Sequence, residues 1–402
     1  MRNKEKLLVF GCEQSYFFRA GQPFNAGEYG YLPSLFPPTV QVMQGVIRTA
    51  LLKGHGVDFN DYKNNYCGVC RGDSRVCKVL QAVGRFGSNE KIGMDLKGPC
   101  VVRWNENEQE RLYPIPRDLV KTESKSVAEE YICLQPDSQP QITDRGNIHL
   151  PAAKRRYKIL EQAWISETGL ESYLTGKKIR SKDIYWAGGN SKAPGNMFLS
   201  KEQRFGIAFD HIKRSAKEQM LYSTEHIRLR PGYGLAVRVG RLPELSLPDM
   251  VKLGGEGRIS SLQAYVTEPI SKTGIVAALD QGPGLWGGMG FKLVFLTPAR
   301  FNGGWLPDGF GLTEIDGASA WQGELKGIDC TLVAACMDRP IYIGGWNIAR
   351  GEPKPRRAYV PAGSVYYFTT RADTKEVIAA MHDKKIGLEQ GAGCGHVVVG
   401  RW

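Results

Sequence analysis

The abundance and spacing of glycine restrict the fold of this chain more than any other feature of its sequence. The chain has 48 glycines among 402 residues, which is well above the usual share. Five Gly-Gly pairs occur, at 188–189, 254–255, 287–288, 303–304 and 344–345. Because such clusters mark turns and loops rather than long helices, they predict short elements joined by many turns. We therefore expect an α+β fold with many short strands.

The two ends of the chain predict mirrored orders of elements. LLVFGCEQSYFFR predicts a first strand, and TVQVMQGVIRTALLKGHG predicts an amphipathic helix with Thr39 as its N-cap and Gly54 or Gly56 at its end. Towards the other end, TKEVIAAMHDK predicts a helix, and HVVVGRW, after a glycine loop, predicts a strand. This order suits two ferredoxin-like (RRM-like) βαββαβ units better than a doubly wound parallel sheet. We place these domains at 1–200, with insertions over about 55–190, and at 201–402.

The charge balance favours a polyanionic partner. Lys and Arg number 53 and Asp and Glu number 41, which gives a net charge of +12. Such a balance points to nucleic acid first and to an acidic membrane second. The apolar run after MRNKEK is too short for a signal peptide or a membrane span, and nine cysteines do not resemble a secreted disulfide framework. We expect a cytoplasmic protein without a membrane partner.

Aromatic and basic residues alternate on or beside three predicted strands. They are Tyr16–Arg19, Trp346 with Lys354, Arg356 and Arg357, and Tyr366–Phe368. Single-stranded RNA is typically held by aromatic rings that stack on bases, while Lys and Arg meet the phosphates. Several of these aromatics also suit a strand core, and the RNP1 consensus of an ordinary RNA recognition motif is missing. The pattern indicates an RNA-binding surface of another kind.

A glycine run near the last predicted strand has two interpretations. Gly391, Gly393 and Gly395 stand directly before HVVVG. In a Rossmann fold or a P-loop the glycines instead follow a strand and open a helix that holds phosphates, so neither fingerprint is present. The run either exposes backbone N–H groups to phosphate or only turns the chain. The residue pattern alone favours the turn.

Three cysteines form half of a zinc-site pattern. Cys67, Cys70 and Cys77 are spaced as Cys-x₂-Cys-x₆-Cys, with Cys100 and His55 as possible fourth ligands. The Cys-x₂-Cys turn suits tetrahedral zinc, although zinc ribbons usually supply a second such pair. A structural zinc and three free thiols therefore stay as alternatives. A catalytic zinc is disfavoured, because no His-x-x-x-His or His-x-Glu set accompanies the cysteines.

Support for catalysis is weak. The six histidines are scattered and none lies in a triad motif. His211 and His226 flank a basic segment, as histidines do in metal-independent ribonucleases, but an ordinary polar or surface histidine is the better interpretation of both. We expect a protein that is not an enzyme.

Several segments, taken in order, resemble RAMP-superfamily CRISPR proteins. They are FFRAGQPFNAG, LPSLFPPTVQVMQGVIRTALL, LYPIPRDLV, KLGGEGRI, LTPARFNGGWLP, GGWNIARGEPKPRRAYVPAGSVYYF and GLEQGAGCGHVVVGRW. Within that superfamily the chain is similar to the Cas5-like third subunit of type III-B (Cmr) effectors over nearly its whole length. The resemblance implies two ferredoxin-like domains with glycine-rich loops. The cysteine insert departs from the pattern.

The resemblance implies a non-catalytic RNA-binding subunit of a ribonucleoprotein in antiviral defence. Such a subunit caps the 5′ handle of the guide crRNA, docks a large palm-domain subunit onto a backbone RAMP subunit, and meets target RNA only indirectly. Carried over to this chain, the handle contacts are Arg19, Arg48, Gly254, Gly255, Arg258, Lys354, Arg356 and Arg357. The run Gly391–Gly395 is then expected to face guide RNA or a neighbouring subunit.

Two alternatives to this function stay open. One is an endoribonuclease of the same superfamily that trims guide precursors through His211 or His226. The other is the equivalent subunit of a different type III effector.

Overall fold

The fold was described from a computed structural model of the chain. It covers residues 5–19, 31–88, 93–105, 108–123, 130–144, 146–188, 196–210, 214–244, 246–282, 284–347 and 351–402. Within these ranges the protein is α+β, with six α-helices and 29 strands, which confirms the predicted class. None of the helices found there is long and apolar enough to cross a membrane.

The helices are short apart from the first. They are α1 Val40–Gly54, α2 Phe59–Lys63, α3 Lys78–Val83, α4 Glu167–Leu174, α5 Ile275–Asp280 and α6 Thr374–Met381. Short 3₁₀ turns lie at Ser181–Asp183, Leu285–Gly287 and Gln390–Ala392.

The strands fall into a first and a second half of the chain. The first half contains β1 Lys6–Gly11, β2 Tyr31–Leu32, β3 Asp95–Asn105, β4 Glu108–Pro114, β5 Leu119–Thr122, β6 Tyr131–Cys133, β7 Gln135–Pro136, β8 Gln141–Thr143, β9 Gly146–Ile148, β10 Pro151–Ala152, β11 Tyr157–Ile159, β12 Ala163–Ser166, β13 Ile184–Trp186 and β14 Leu199–Asp210. The second half contains β15 Ser215–Leu229, β16 Tyr233–Gly240, β17 Met250–Lys252, β18 Ile259–Val266, β19 Met289–Phe295, β20 Gly311–Ile315, β21 Ala318–Leu325, β22 Ile328–Cys336, β23 Ile341–Ile343, β24 Trp346–Asn347, β25 Glu352–Pro353, β26 Arg357–Tyr359, β27 Val365–Thr370, β28 Lys384–Lys385 and β29 His396–Gly400.

The chain forms two compact units that are interleaved along the sequence. Unit 1 comprises Met1–Gln109, Ala187–Thr267 and Tyr342–Arg357, and unit 2 comprises Glu110–Trp186, Glu268–Ile341 and Ala358–Trp402. The division expected from the sequence was contiguous, at 1–200 and 201–402. Strand pairing explains the difference, because β1 pairs antiparallel with both β16 and β18. Residues far apart in sequence therefore fold together.

Unit 1 is built on an antiparallel sheet with strand order β3-β16-β1-β18-β17. The apolar side chains of β1 are buried in it. Helix α1 contacts β3 and β17, and Thr39 Oγ1 accepts a hydrogen bond from the Val42 N–H at its start. Met43, Ile47 and Leu51 form the buried side of α1. The predicted amphipathic helix and its cap are confirmed.

Unit 2 contains a seven-stranded sheet with the order β20-β21-β22-β27-β19-β29-β28. All residues of β27 and β29 are buried, so the Val397–Val399 run lies in the core. Helix α6 contacts β29 and β22, with Val377, Ile378 and Met381 buried as predicted. Strand β12 also pairs with β13 and with Leu112–Pro114 of β4.

Candidate nucleic-acid interface and cysteine cluster

The loop Gly254–Arg258, which we name the first glycine loop, packs against the segment that leads to Arg19. The Gly255 N–H donates to the Phe17 carbonyl oxygen at 2.8 Å. Gly254 has φ +87°, and a Cβ at this position would lie 2.7 Å from the Phe17 oxygen. Only glycine fits so close an approach with positive φ. Arg19, Gly254, Gly255 and Arg258, which the sequence predicted as RNA contacts, therefore belong to one local structure.

Charged side chains line this loop. Arg258 Nη2 lies 2.8 Å from Glu256 Oε2, and the same carboxylate oxygen lies 3.4 Å from His226 Nε2. The His226 ring is fully buried and stacks on Phe17, with 5.3 Å between ring centroids. Burial lowers the pKa of His226, although the negative charge of Glu256 opposes the change. The ring is therefore neutral near pH 7.

The placement of His226 bears on the ribonuclease alternative. A general base must reach the proton that it abstracts from the RNA, whereas His226 is enclosed between Phe17 and the first glycine loop. His211, the second histidine of that alternative, lies outside the described residues.

Arg48 lies inside unit 1 rather than in a groove. Its Nη1 donates to the Ser88 carbonyl at 2.7 Å, and its Nη2 donates to Tyr62 Oη at 2.7 Å and to the Arg85 carbonyl at 2.8 Å. These bonds connect α1 to the chain around α2 and after α3. The geometry does not support the handle contact predicted at Arg48, and nothing in the sequence distinguished this arginine from an exposed one.

Residues 342–347 and 351–357 form an exposed structure in unit 1 that we name the basic hairpin. Its strands β24 and β25 pair antiparallel, and the Lys354 N–H donates to the Gly345 carbonyl at 2.8 Å. Gly345 has φ +141°, a conformation that L residues rarely adopt. Paired glycines of the kind seen in the sequence thus serve here to bring the two arms of the hairpin together.

The basic hairpin presents aromatic and cationic side chains together. Trp346 is 59% exposed and Tyr342 is 56% exposed. The Arg356 guanidinium lies 5.7 Å from the centroid of the Tyr342 ring, and Arg356 and Arg357 are exposed. The structure therefore brings together the residues that the sequence singled out here. Tyr342 was missed, although it stands four residues before Trp346.

The loop Gly387–Gly395 in unit 2, named the second glycine loop, is closed upon itself. The Gly393 N–H donates to the Gln390 carbonyl at 3.0 Å, and the Gly395 N–H donates to the Pro298 carbonyl at 2.8 Å. Gly395 has φ +73°, and a Cβ there would lie 1.9 Å from the Ile386 oxygen. These amides are engaged within the fold, so RNA contacts at Gly393 and Gly395 are not supported. Contact at the half-buried Gly391 stays a prediction.

An ion pair holds the second glycine loop in place. Glu389 Oε1 lies 2.9 Å from Arg300 Nη1, and Tyr359 Oη donates to Glu389 Oε2 at 2.8 Å. Burial, reinforced by the bond to Glu389, raises the pKa of Tyr359, so its hydroxyl stays a donor at neutral pH. The Glu389 carboxylate is therefore satisfied by its own surroundings in unit 2.

A buried ionic network lies elsewhere in unit 2. Lys292 Nζ lies 3.0 Å from Asp118 Oδ2, and Tyr173 Oη and Tyr367 Oη donate to the same carboxylate at 2.5 and 3.0 Å. Lys292 and Asp118 are 2% and 0% exposed. Burial, with the adjacent Asp118 charge, raises the pKa of both tyrosines well above the ordinary value. The network is sealed from solvent, so its role is structural.

The cysteine insert brings four potential metal ligands together. Ligand atoms of His55, Cys67, Cys70 and Cys77 all lie within 4.8 Å of one another. Cys100, the other fourth ligand considered from the sequence, lies in β3 with its Sγ 3.6 Å from the Ala236 carbonyl. The prediction of Cys100 as a ligand is wrong, because strand pairing fixes it in the unit 1 sheet, and His55 occupies the fourth position.

Local backbone structure shapes this cluster. The backbones of Cys67 and Gly72 form an isolated antiparallel β-bridge. The Cys70 N–H donates to Cys67 Sγ at 3.4 Å. Burial would raise the pKa of Cys67, but the Cys70 N–H and the neighbouring thiols lower it below its ordinary value. A hydrogen bond with Cys77 contributes most to raising the pKa of Cys70 to about 11.

Comparison with known proteins places this chain in a family. The family model described as CRISPR-associated protein (Cas_Cmr3) matches residues 14–402, whereas no curated protein sequence matches the chain. A chain of the type III-B Cmr-beta complex bound to cognate target RNA is 14% identical, with a TM-score of 0.41 over 90% of this chain and 86% of that one. The same complex with target RNA and AMPPnP gives 13% and 0.40 over the same shares.

A third structure is similar at the same distant level. In a Csm3-Csm4 subcomplex of a type III-A interference complex, the matched chain is 11% identical, with a TM-score of 0.36 over 92% of this chain and 94% of that one. The match to the family model, in contrast, spans nearly the full sequence and confirms the predicted relationship. The chain belongs to the family of CRISPR-associated proteins described as Cas_Cmr3.

Proposed function

We propose that this protein is a non-catalytic RNA-binding subunit of a type III-B (Cmr) ribonucleoprotein and that it caps the 5′ handle of the guide RNA. The observation that carries the proposal is the family match over residues 14–402. The basic hairpin and the first glycine loop supply the chemistry that such a role needs. In RNA-guided complexes base pairing reads the sequence, while the protein holds the backbone and its shape.

Both sheets support the further proposal of two ferredoxin-like domains. In unit 1, β1 and β3 run in the same direction with β16 between them, and α1 lies in the connection. In unit 2, β27 and β29 run in the same direction with β19 between them, and α6 lies in the connection. A helix that joins two parallel strands separated by a third is the split βαβ arrangement of this fold.

The basic hairpin is the surface best suited to single-stranded RNA. Trp346 offers an exposed ring on which a base can stack, a contact typically worth about 1–3 kcal/mol. Arg356 and Arg357 offer guanidinium groups to the phosphates. The first glycine loop adds Arg258 within the same compact unit. Holding a handle in this way requires no general base, which agrees with the enclosed position of His226.

The partners that we propose follow from the same family assignment. They are the guide crRNA handle, a large palm-domain subunit and a backbone RAMP subunit, with target RNA met only indirectly. Multi-subunit type III assemblies are the context of the three similar structures. We place the assembly in the cytoplasm without a membrane partner.

The test is binding of the full chain to RNA that carries the repeat-derived 5′ handle, compared with a scrambled RNA, across a salt series by fluorescence anisotropy. We expect preference for the handle, no cleavage, and a several-fold weaker affinity for the Arg356→Gln/Arg357→Gln double variant. The matched control is Lys154→Gln/Arg156→Gln, which removes two exposed positive charges from unit 2.

Two outcomes would contradict the proposal. The first is equal affinity for handle RNA and scrambled RNA, measured for the chain alone and for the reconstituted complex, which would show that the protein does not recognise the handle. Cleavage lost on His211→Ala or His226→Ala would establish the ribonuclease alternative. Co-purification with the subunits of another type III effector would transfer the same role to that complex.

A further inference from the structure

We propose that His55, Cys67, Cys70 and Cys77 bind one zinc ion in a tetrahedral Cys₃His site. The site lies in the insert between α1 and β3 and is independent of the RNA surface described above. The zinc proposal is therefore tested separately from the proposed handle-capping function.

The positions of the ligand atoms fit a tetrahedral ion. With Zn–S near 2.3 Å and Zn–N near 2.0–2.1 Å, ligands of one tetrahedral zinc lie roughly 3.5–3.8 Å apart. All four ligand atoms here lie within 4.8 Å of one another, and His55 Nε2 lies 3.2 Å from Cys70 Sγ. Small side-chain movements would bring every ligand to its bonding distance.

The chemistry of the four ligands selects the metal. Three thiolates and one imidazole suit zinc, whereas calcium and magnesium prefer oxygen. Four protein ligands fill a tetrahedral site and leave no position for a substrate or a reactive water. The site is therefore structural. None of the nine cysteines forms a disulfide, so these thiols are available as ligands.

Helices α2 and α3 bury Tyr62, Leu80 and Val83, but the turn between them, residues 64–77, has little apolar burial of its own. Helices α2 and α3 have five and six residues, lengths that are not stable in isolation. The large apolar side chains Phe59, Tyr66, Val69 and Val76 are exposed. Cys67 and Cys77, in contrast, are 0% exposed. The cysteine cluster is thus the interior of this turn, which is the role that a structural metal has in small domains with weak cores.

The ion would fasten the turn between α2 and α3 to α1. His55 is the C-cap residue of α1 and Cys77 is the N-cap residue of α3, while Cys67 and Cys70 lie in the turn between α2 and α3. Because α1 contacts β3 and β17, one ion connects this turn to the helix that covers the unit 1 sheet. Metal binding is expected to be coupled to folding of the segment.

The first experiment measures metal in the full chain. Protein purified without chelator is expected to contain close to one zinc ion per chain by mass spectrometry of the metals, as a closed structural site requires. Replacement of zinc by Co²⁺ should give the absorption of a tetrahedral centre with three thiolate ligands. Chelation should increase proteolysis between residues 56 and 83 while leaving distant cleavage sites unchanged.

Variants identify the ligands. Cys70→Ser and His55→Gln should weaken zinc binding by more than the roughly 10–100-fold that changes outside the ligand shell cause. Cys100→Ser is the control, because it removes a buried thiol outside the cluster and should keep the full zinc content. The cobalt spectrum of His55→Gln should keep its thiolate bands, whereas that of Cys70→Ser should lose intensity.

Three results would overturn the proposal. The first is wild-type protein that contains no zinc and binds none when titrated with zinc alone. The second is that, in folded protein, an alkylating reagent modifies each of the nine thiols to the same extent with and without chelator. The third is loss of zinc on Cys100→Ser but not on His55→Gln. Because the first two use wild-type protein, a variant that fails to fold does not prevent a decision.

Discussion

The two glycine loops have similar compositions and different uses. In the first, Gly254 and Gly255 bring the backbone onto Phe17, while Glu256 is exposed and the half-buried Arg258 pairs with it. In the second, the N–H groups of Gly393 and Gly395 are bonded inside unit 2, and Glu389 is bound by Arg300 and Tyr359. A glycine run shows that backbones approach closely. Whether it can also bind a ligand depends on which polar groups remain at the surface.

The largest predicted effect is at the second loop. Gly395→Ala should lower the free energy of unfolding by at least about 3 kcal/mol, since the new Cβ would overlap the Ile386 carbonyl in a φ region unfavourable to alanine. Chemical denaturation measures the change. Gly311→Ala is the control, because no atom lies within 4 Å of a Cβ there, and it should change stability by less than about 0.5 kcal/mol. A similarly small change for Gly395→Ala would contradict the described closure.

A smaller loss is expected at the first loop. Gly254→Ala should destabilise the protein by about 2 kcal/mol, because its Cβ would lie 2.7 Å from the Phe17 oxygen. It should also weaken handle RNA binding, since displacement of the loop moves Arg258. Denaturation and anisotropy on the same preparation separate the two effects. If the folded variant binds handle RNA with unchanged affinity, the first glycine loop is not part of the RNA-binding surface.

A pair of arginine substitutions sharpens the comparison. Arg300→Gln in unit 2 should cost about 1 kcal/mol of stability through the loss of a charged hydrogen bond and leave RNA binding unchanged. Arg258→Gln in unit 1 should change stability less and reduce the slope of log affinity against log salt by about 0.7 if it contacts one phosphate of a single strand. The distinction between the loops would be refuted if Arg300→Gln reduced the salt slope of RNA binding and Arg258→Gln caused the larger loss of stability.

The smallest effect concerns pH. Burial lowers the pKa of His226 in unit 1 and of His382 in unit 2, so on acidification the unfolded chain takes up these protons before the folded one does. Stability should therefore fall as the pH drops below about 6.5, the ordinary histidine pKa. His226→Gln should reduce, but not abolish, the difference between unfolding at about pH 7.5 and at about pH 5.5. An unaltered difference would exclude His226 as a source.

Local patterns predicted local structure well. The spacing of Met43, Ile47 and Leu51 and the cap at Thr39 indicated α1, and the apolar run Val397–Val399 indicated the buried strand β29. These signals depend on residues a few positions apart, where helical and strand periodicity is direct. The aromatic and basic residues of the hairpin were identified because they also lie within a few positions of one another along the chain.

Long-range pairing decided the features that the sequence did not reveal. Cys100 and His55 were equivalent candidates by spacing, and only the pairing of β3 with β16 removes Cys100 from the cluster. From the sequence, Arg48 resembles a surface arginine on a helix. The fold of the insert, however, brings the carbonyls of Arg85 and Ser88 into contact with its guanidinium group. The interleaving of the two units likewise follows from the partners of β1, which no local pattern encodes.

The buried network of unit 2 has a consequence for how the protein is made. Asp118 and Lys292 are 174 residues apart, and Tyr367 is farther still. A nascent chain that has emerged only to Asp118 or Tyr173 holds a carboxylate whose buried cation has not yet been translated. Because leaving a buried charge unpaired is strongly unfavourable, unit 2 cannot close in stages from its N-terminal side. Its core can therefore close only after strands β19 and β27 have been synthesised, and until then its apolar strands are exposed to aggregation.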